Sequence, residues 1–182
     1  MKNKSNDVYR FKVVVVGDPA VGKTSIIRKY SLNQFEDNYK MTVGADFNVK
    51  LVKFDDLGEV TITIWDFGGQ EKFDEIRKYY YYGTQAAIIV FDITNPQSFQ
   101  NIKKWKEDLF KETKEVPFLI LANKTDLKDN AKVSKEMIDS LSNEYQVKVF
   151  ETSAKTGNNI ENVFREIAKN CLSTYNIQLQ MG

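Results

Sequence analysis

The stretch GDPAVGKT at residues 17–24 combines residue types and a spacing that suit phosphate binding. Gly17 and Gly22 permit a tight turn and a close approach of the backbone to a ligand. Amides of the stretch can point at phosphate oxygens, the Lys23 ammonium can neutralise β- and γ-phosphate charge, and the Thr24 hydroxyl can bind Mg²⁺. The alternative is a helix-starting turn with a solvated lysine. The strand-like FKVVVV before it and the helix-like SIIRKYSL after it favour a phosphate-binding loop.

The stretch WDFGGQ at residues 65–70 follows the apolar run VTITI and carries a second set of candidate groups. Asp66 can hold a metal ion through water. The Gly69 amide can reach a γ-phosphate with no side chain in the way, and Gln70 can orient an attacking water. Taken alone, an aspartate before glycines is typical of a turn that ends a strand. After a phosphate-binding loop, the same residues indicate a hydrolytic site.

Two further polar stretches, NKTD at residues 123–126 and ETSAK at residues 151–155, each follow an apolar run. Asp126 can accept hydrogen bonds from N1 and the exocyclic amino group of guanine, whereas adenine would leave that carboxylate unpaired. The Ala154 amide can bond the guanine O6, and Lys155 can pack near the base. In isolation each stretch is equally typical of a polar loop beside a helix cap. Following the first two motifs, they favour guanine.

The elements that must position these groups alternate between apolar runs and amphipathic segments. The runs are FKVVVVG, VTITIW, AAIIVFD, PFLILAN and VKVFETS, and NVKLVKF pairs with VTITIW across DDLGE as an antiparallel hairpin. Helices are predicted over residues 24–32, 96–114, 134–144 and 159–174, the last with a capping box from Asn158 to Glu161. We therefore predict the α/β fold of a P-loop NTPase, with a six-stranded mostly parallel sheet, one antiparallel edge strand and about five helices.

Length and composition indicate one domain spanning residues 1–182, with flexible ends at residues 1–9 and 175–182. A formal net charge of +1 gives no indication of nucleic-acid binding, and the one cysteine, Cys171, is predicted to be a buried helix residue in a reducing compartment. No apolar run approaches the length of a membrane span. We expect a cytoplasmic monomer. The run YYYY at residues 79–82 is expected to pack in the core, with an aromatic partner surface as the alternative for some of its tyrosines.

The four motifs together resemble those of the Ras-like small GTPases, and the likeness runs from about Phe11 to about Leu172. TVGADF, TITIWD, GQEKF and IVFDIT are most similar to the Rab branch, whereas the glycine pair before Gln70 is similar to the Arf branch. The resemblance implies that Thr42 binds Mg²⁺ and the γ-phosphate, that Phe35 stacks on guanine and that Tyr39 lies over the phosphates.

The site residues expected on this basis fall into three groups. The nucleotide-binding group is Asp18, Pro19, Ala20, Val21, Gly22, Lys23, Thr24, Ser25, Phe35, Tyr39, Thr42, Gly69, Asn123, Lys124, Asp126, Ser153, Ala154 and Lys155. The catalytic group is Gln70, Lys23, Thr42 and Gly69. The metal ligands are Thr24, Thr42 and Asp66.

The resemblance also implies a function, namely a molecular switch that binds GTP and GDP with Mg²⁺ and hydrolyses GTP slowly. Its partners would be effectors, exchange factors and GTPase-activating proteins, in vesicle trafficking or signalling. The end STYNIQLQMG has no cysteine for a prenyl group, and Lys2 stands where a myristoylated chain needs glycine. Membrane association is therefore left open, with the protein either in the cytoplasm or peripheral on a membrane.

Three alternatives to this function are left open. One is a scaffold locked on GTP or GDP that does not cycle, based on departures from the family pattern at Phe67, Gly68 and Pro19. A second is a metabolic P-loop kinase, against which stand the NKTD stretch and the lack of an arginine-rich lid segment. A third is a trafficking regulator that acts through a lipid anchor. The sequence names no effector, regulator or membrane.

Overall fold

A computed structural model describes residues 9–36, 45–55, 57–67 and 74–181. Its strands are β1 (Tyr9–Val16), β2 (Ala45–Phe54), β3 (Gly58–Phe67), β4 (Ala86–Asp92), β5 (Phe118–Asn123) and β6 (Val149–Glu151). Its α-helices are α1 (Lys23–Leu32), α2 (Asp74–Tyr81), α3 (Pro96–Gln100), α4 (Ile102–Glu112), α5 (Lys135–Tyr145) and α6 (Ile160–Met181), and a 3₁₀ helix spans Thr125–Asn130.

The six strands form one sheet in the order β2-β3-β1-β4-β5-β6. β2 and β3 are antiparallel, with Ala45 opposite Phe67 and Phe54 opposite Gly58, and the other neighbouring pairs are parallel. β2 therefore forms one edge of the sheet. The predicted fold class, six strands with one antiparallel edge strand, is confirmed.

Both faces of the sheet are covered, because successive side chains of each strand point to opposite faces. Val13 and Val15 of β1 lie in a core cluster with apolar residues of α1 and α6. Val14 and Val16 lie in a second cluster with residues of α2, α4 and α5. All seven residues of β4 are buried. The unbroken apolar runs of the central strands are thus explained by helices on both sides.

The helices differ from the prediction in three places. The helix expected over residues 96–114 is divided at Asn101, so the described residues contain six α-helices rather than about five. The Asn95 side chain caps α3 by accepting from the Gln97 amide, and Pro96 follows it.

α6 continues to Met181, past its predicted end at residue 174. It begins at Ile160, so Asn158 is not its cap and the predicted capping box is wrong. The predicted flexibility of the chain ends stays a prediction.

The tyrosine run divides as its position on a helix requires. Tyr81 is 1% exposed, whereas Tyr79 and Tyr82 are 70% and 83% exposed. Cys171 is buried in α6 as predicted, and burial raises the pKa of its thiol to about 12. In the part of the chain that the structure describes, no helix has the length and apolar character needed to cross a membrane.

Candidate functional site

The four predicted motifs, as far as the structure describes them, lie at the end of the sheet where the parallel strands terminate. β1, β3, β4, β5 and β6 run in the same direction, so the segments that follow them lie at the same edge, where open α/β sheets bind ligands. We call residues 17–24 together with Asp66 the phosphate half, and residues 123–126 with 151–155 the base half. The register pairs Asp92 with Asn123 and Ala122 with Glu151, which brings the strand ends of the base half level with each other.

The phosphate half is built around two glycines that no other residue could replace without strain. Gly17 has φ +143°, and a Cβ there would lie 2.2 Å from the Val90 carbonyl oxygen. Gly22 has φ +101°, and a Cβ there would lie 2.4 Å from Asn123 Nδ2. The loop therefore packs directly against the ends of β4 and β5. This close packing is the structural reason for the glycine spacing in the motif.

The Lys23 ammonium lies inside the loop. Lys23 is buried, and its Nζ donates to the Gly17 and Asp18 carbonyl oxygens, each at 2.8 Å. α1 begins at Lys23, and its first turn carries no acidic residue and no side-chain cap. The helix N-terminus, with its unsatisfied amides and positive end of the dipole, is thus left to an anion. A buried cation beside these amides can bind phosphate.

Two of the three predicted metal ligands are in contact. Thr24 Oγ1 donates to Asp66 Oδ2, and Asp66 is 2% exposed. Asp66 Oδ1 is buried and has no hydrogen-bond partner among the described residues. Burial raises the pKa of Asp66, while the Thr24 hydrogen bond and Lys23 act to lower it. A buried carboxylate oxygen beside a hydroxyl offers the hard oxygen donors that Mg²⁺ prefers, so these residues fit the ion. Thr42 lies outside the described residues.

Asn123 links the two halves. It is 1% exposed, its Nδ2 donates to the Val21 carbonyl at 2.8 Å, and its Oδ1 accepts from Thr152 Oγ1 at 3.2 Å. The end of β5 is thereby tied to the phosphate loop on one side and to the segment after β6 on the other. The side chain holds the base half at a fixed distance from the phosphate half.

The side chain of Asp126, which is predicted to recognise the base, is held by Ser153. Ser153 Oγ donates to Asp126 Oδ1 at 2.6 Å, while Asp126 itself is exposed at the sheet edge. Ser153 and Ala154 are buried, whereas Lys155 is exposed. The hydrogen bond orients the carboxylate and leaves its second oxygen for other donors. The amide of Ala154 lies in the same short segment as Ser153.

The sequence analysis missed two residues of the site, Asp92 and Thr152, which hold the predicted residues Lys124 and Asn123. Lys124 has a left-handed backbone, and its Nζ forms an ion pair of 2.7 Å with Asp92 Oδ2 at the end of β4. Asp92 Oδ1 accepts from the Thr94 amide and hydroxyl. Thr152, whose hydroxyl donates to Asn123 Oδ1, is the second missed residue. An acid at the end of a buried strand of the same sheet was the available signal for Asp92.

The remaining predicted residues have mixed outcomes. Val21 is buried, Pro19 and Ala20 are exposed, and Phe35 is partly buried against the core cluster of α1 and α6. Ser25 is partly buried on α1. The roles of these residues towards nucleotide stay predictions. Four predicted residues lie outside the described residues: Tyr39, Thr42, Gly69 and Gln70.

Phe67, which the resemblance marks as a departure from the expected motif, packs in the core. It is 3% exposed, and its ring lies 5.1 Å from Tyr80 and 6.1 Å from Tyr81 between ring centroids. The side chain therefore fills the core under α2.

Comparison with known proteins gives one family. The model of the Ras family matches residues 12–173. The chain is 41% identical over 169 residues to Ras-related protein Rab-7L1 of Rattus norvegicus, which covers 90% of this chain and 82% of the relative. It is 43% identical over 161 residues to Rab-7L1 of Homo sapiens, covering 85% and 79%. It is 37% identical over 169 residues to Rab-8B of Pongo abelii, covering 92% and 81%.

Proposed function

The chain belongs to the Ras family of small GTPases, with relatives in the Rab branch, and on that premise we propose that it binds GTP and GDP with Mg²⁺ and hydrolyses GTP slowly. The single observation that carries this proposal is the hydrogen bond from Asn123 to the Val21 carbonyl. It joins a loop suited to phosphates to a carboxylate suited to guanine, so one nucleotide can span both halves.

The phosphate half supplies the charge and donors that a nucleoside triphosphate requires. The Lys23 ammonium and the amides at the start of α1 bind phosphate oxygens. Thr24 and Asp66 would hold Mg²⁺, together with Thr42, and the ion would neutralise charge that develops on the phosphates. Gly69 is assigned a backbone hydrogen bond to the γ-phosphate, and Gln70 the orientation of the attacking water.

The base half supplies the selectivity. The Asp126 carboxylate, oriented by Ser153, accepts from guanine N1–H and from the 2-amino group, while the Ala154 amide donates to O6. Adenine has neither donor at these positions, so its binding would leave the Asp126 oxygen that Ser153 does not engage without a donor. A site built on such bonds rejects the wrong base by about 10⁴-fold or more.

A switch function follows from this chemistry. The γ-phosphate would hold Thr42 and Gly69, and its loss would release both segments, so that effectors distinguish the GTP and GDP forms by differential affinity. Without an activating protein we expect hydrolysis on the order of 10⁻⁴ to 10⁻³ per second. Exchange factors and activating proteins would then set the fraction in each form. The Rab relatives support a role in vesicle trafficking.

The second candidate is a scaffold that keeps its nucleotide and does not cycle. Of the three departures behind it, Pro19 is exposed on the loop and Phe67 is buried in the core. Gly68 lies outside the described residues. Because the Phe67 side chain is buried against α2, it does not itself occupy the phosphate half. The geometry therefore favours the cycling enzyme.

Single-turnover hydrolysis of bound GTP separates the two candidates. Purified protein is loaded with GTP, excess nucleotide is removed, and bound GTP and GDP are measured over hours. We expect the parent to convert GTP to GDP and Gln70→Leu to do so at least about tenfold more slowly with little change in GTP affinity. Gln100→Leu, an equal change at an exposed position of α3, should hydrolyse at the parent rate.

Two results would contradict the proposal. GTP that persists unhydrolysed in the parent would favour the scaffold. Release of adenine nucleotide from the denatured purified protein would remove the guanine assignment. A Gln70→Leu variant that hydrolyses at the parent rate would keep the GTPase and reassign the orientation of the water.

A further inference from the structure

The Asp18 side chain is turned out of the phosphate loop and held by helix α4. Asn101 Nδ2 donates to Asp18 Oδ2, and Trp105 Nε1 donates to Asp18 Oδ1, each at 2.7 Å. Asn101 is the N-cap residue of α4 and Trp105 lies near the start of that helix, four residues later, so both donors lie at the N-terminal end of α4. Trp105 is 6% exposed. Both carboxylate oxygens of Asp18 therefore accept hydrogen bonds from the N-terminal end of α4.

The main chain of Asp18 contacts the phosphate half, whereas its side chain contacts α4. Its carbonyl oxygen accepts from Lys23 Nζ at 2.8 Å, so one residue joins α4 to the ammonium of the phosphate half. Asp18 is also the one acidic residue of the stretch GDPAVGKT. An anionic side chain in a loop that binds anions is unfavourable unless its charge is directed elsewhere.

We propose that Asn101 and Trp105 are positioning residues that keep the Asp18 carboxylate away from the bound phosphates and so slow nucleotide release. The inference rests on the proposed binding of guanine nucleotide by the phosphate half. Its physical basis is twofold. Two neutral donors satisfy the carboxylate on the helix side, and the same residue then presents its carbonyl to Lys23. A carboxylate released from α4 would repel phosphate and compete with it for Lys23.

The test compares GDP release from four chains. Trp105→Phe removes the indole N–H but keeps an aromatic ring, and should raise the rate of release of a fluorescent GDP analogue by about tenfold, the effect of losing one hydrogen bond to a charged group. Asp18→Asn combined with Trp105→Phe removes the repelling charge and should return the rate to within about twofold of the parent. Trp65→Phe, the matched control in β3, should match the parent.

The charge rescue distinguishes positioning from simple packing. If Trp105 only filled space, adding Asp18→Asn would leave release fast or make it faster. That result, or a Trp105→Phe rate equal to the parent's, would overturn the proposal. A parent chain that retains no guanine nucleotide would instead overturn the proposed function and this inference with it. The two failures are therefore distinguishable.

A second measurement keeps the inference testable should Trp105→Phe fail to fold. The chain has two tryptophans, so Trp65→Phe leaves Trp105 as the sole indole. Its emission should change when GDP is removed, and should change again when Asp18→Asn is added, because the indole N–H then faces a neutral acceptor. Emission that responds to neither change would overturn the coupling of α4 to the loop.

Discussion

The phosphate half and the base half of the site are built in different ways. The phosphate half is shaped by backbone, since Gly17 lies against the Val90 carbonyl and Lys23 is held by two carbonyl oxygens. The base half is shaped by side chains, since Ser153 holds Asp126 and Thr152 holds Asn123. Backbone contacts tolerate little change of shape, whereas a side-chain contact can be exchanged for another. Substitutions should therefore alter selectivity in the base half, and folding or affinity in the phosphate half.

The largest expected effect is a change of base preference with Asp126→Asn. Asparagine keeps an acceptor for N1–H and offers a donor to the C2 carbonyl of xanthine, whereas guanine then meets donor against donor. Each mismatch costs roughly 1–3 kcal/mol, so two should reverse the ranking of GDP and XDP by orders of magnitude. Competition binding of the two nucleotides measures this. Asp129→Asn in the same 3₁₀ helix is the control. A folded Asp126→Asn protein that still prefers GDP would place base selection elsewhere.

A stability effect of about 3 kcal/mol or more is expected for Gly17→Ala, because its Cβ would lie 2.2 Å from the Val90 carbonyl oxygen at a positive φ. Gly83→Ala is the matched control, with φ +73° but no atom within 4 Å of its Cβ. It measures the cost of a side chain at positive φ without a clash, about 1–2 kcal/mol. Urea unfolding of both variants measures the difference. Equal losses of stability would mean that the loop can move away from β4, and that its backbone contacts do not fix its shape.

A smaller effect, on nucleotide affinity and larger for GTP than for GDP, is expected for Thr24→Asn. Thr24 and Asp66 would hold Mg²⁺, and the ion would offset the charge of a triphosphate, so a poorer ligand at residue 24 should weaken GTP binding about 10- to 100-fold and GDP binding much less. Titration with each nucleotide in the presence and absence of Mg²⁺ measures this. Equal losses for GTP and GDP would place Thr24 outside the metal site.

The smallest effect is expected for Asp92→Asn, which removes the ion pair that holds Lys124. Lys124 is partly exposed, so solvent screening limits the loss, and we expect GDP release to quicken by only about threefold. Asp139→Asn, which breaks the exposed pair with Lys135, should leave release unchanged. Release from Asp92→Asn at the parent rate would show that Lys124 keeps its position without Asp92.

The sequence predicted the strands and the placement of the motifs, because a fully buried strand and a glycine-rich turn each leave a local pattern. It did not predict contacts between distant segments. Asn158 had the spacing of a helix cap, yet the side-chain amides of Asn158 and Asn159 both donate to the Glu151 carbonyl oxygen. Asn101 divides a predicted helix, and its side chain reaches Asp18. Polar side chains choose among partners that only the folded chain brings near, so local spacing cannot identify them.

The strand order also constrains how the chain reaches this structure. β1, the first strand, lies between β3 and β4, and both partners come later in the chain. The hairpin of β2 and β3 can form from local contacts, whereas β1 must wait for residues distant in sequence, which slows folding. Until then its valine run is exposed during synthesis. A nascent chain that ends before Ala86 lacks the Val90 carbonyl against which Gly17 packs, so it has no completed phosphate loop.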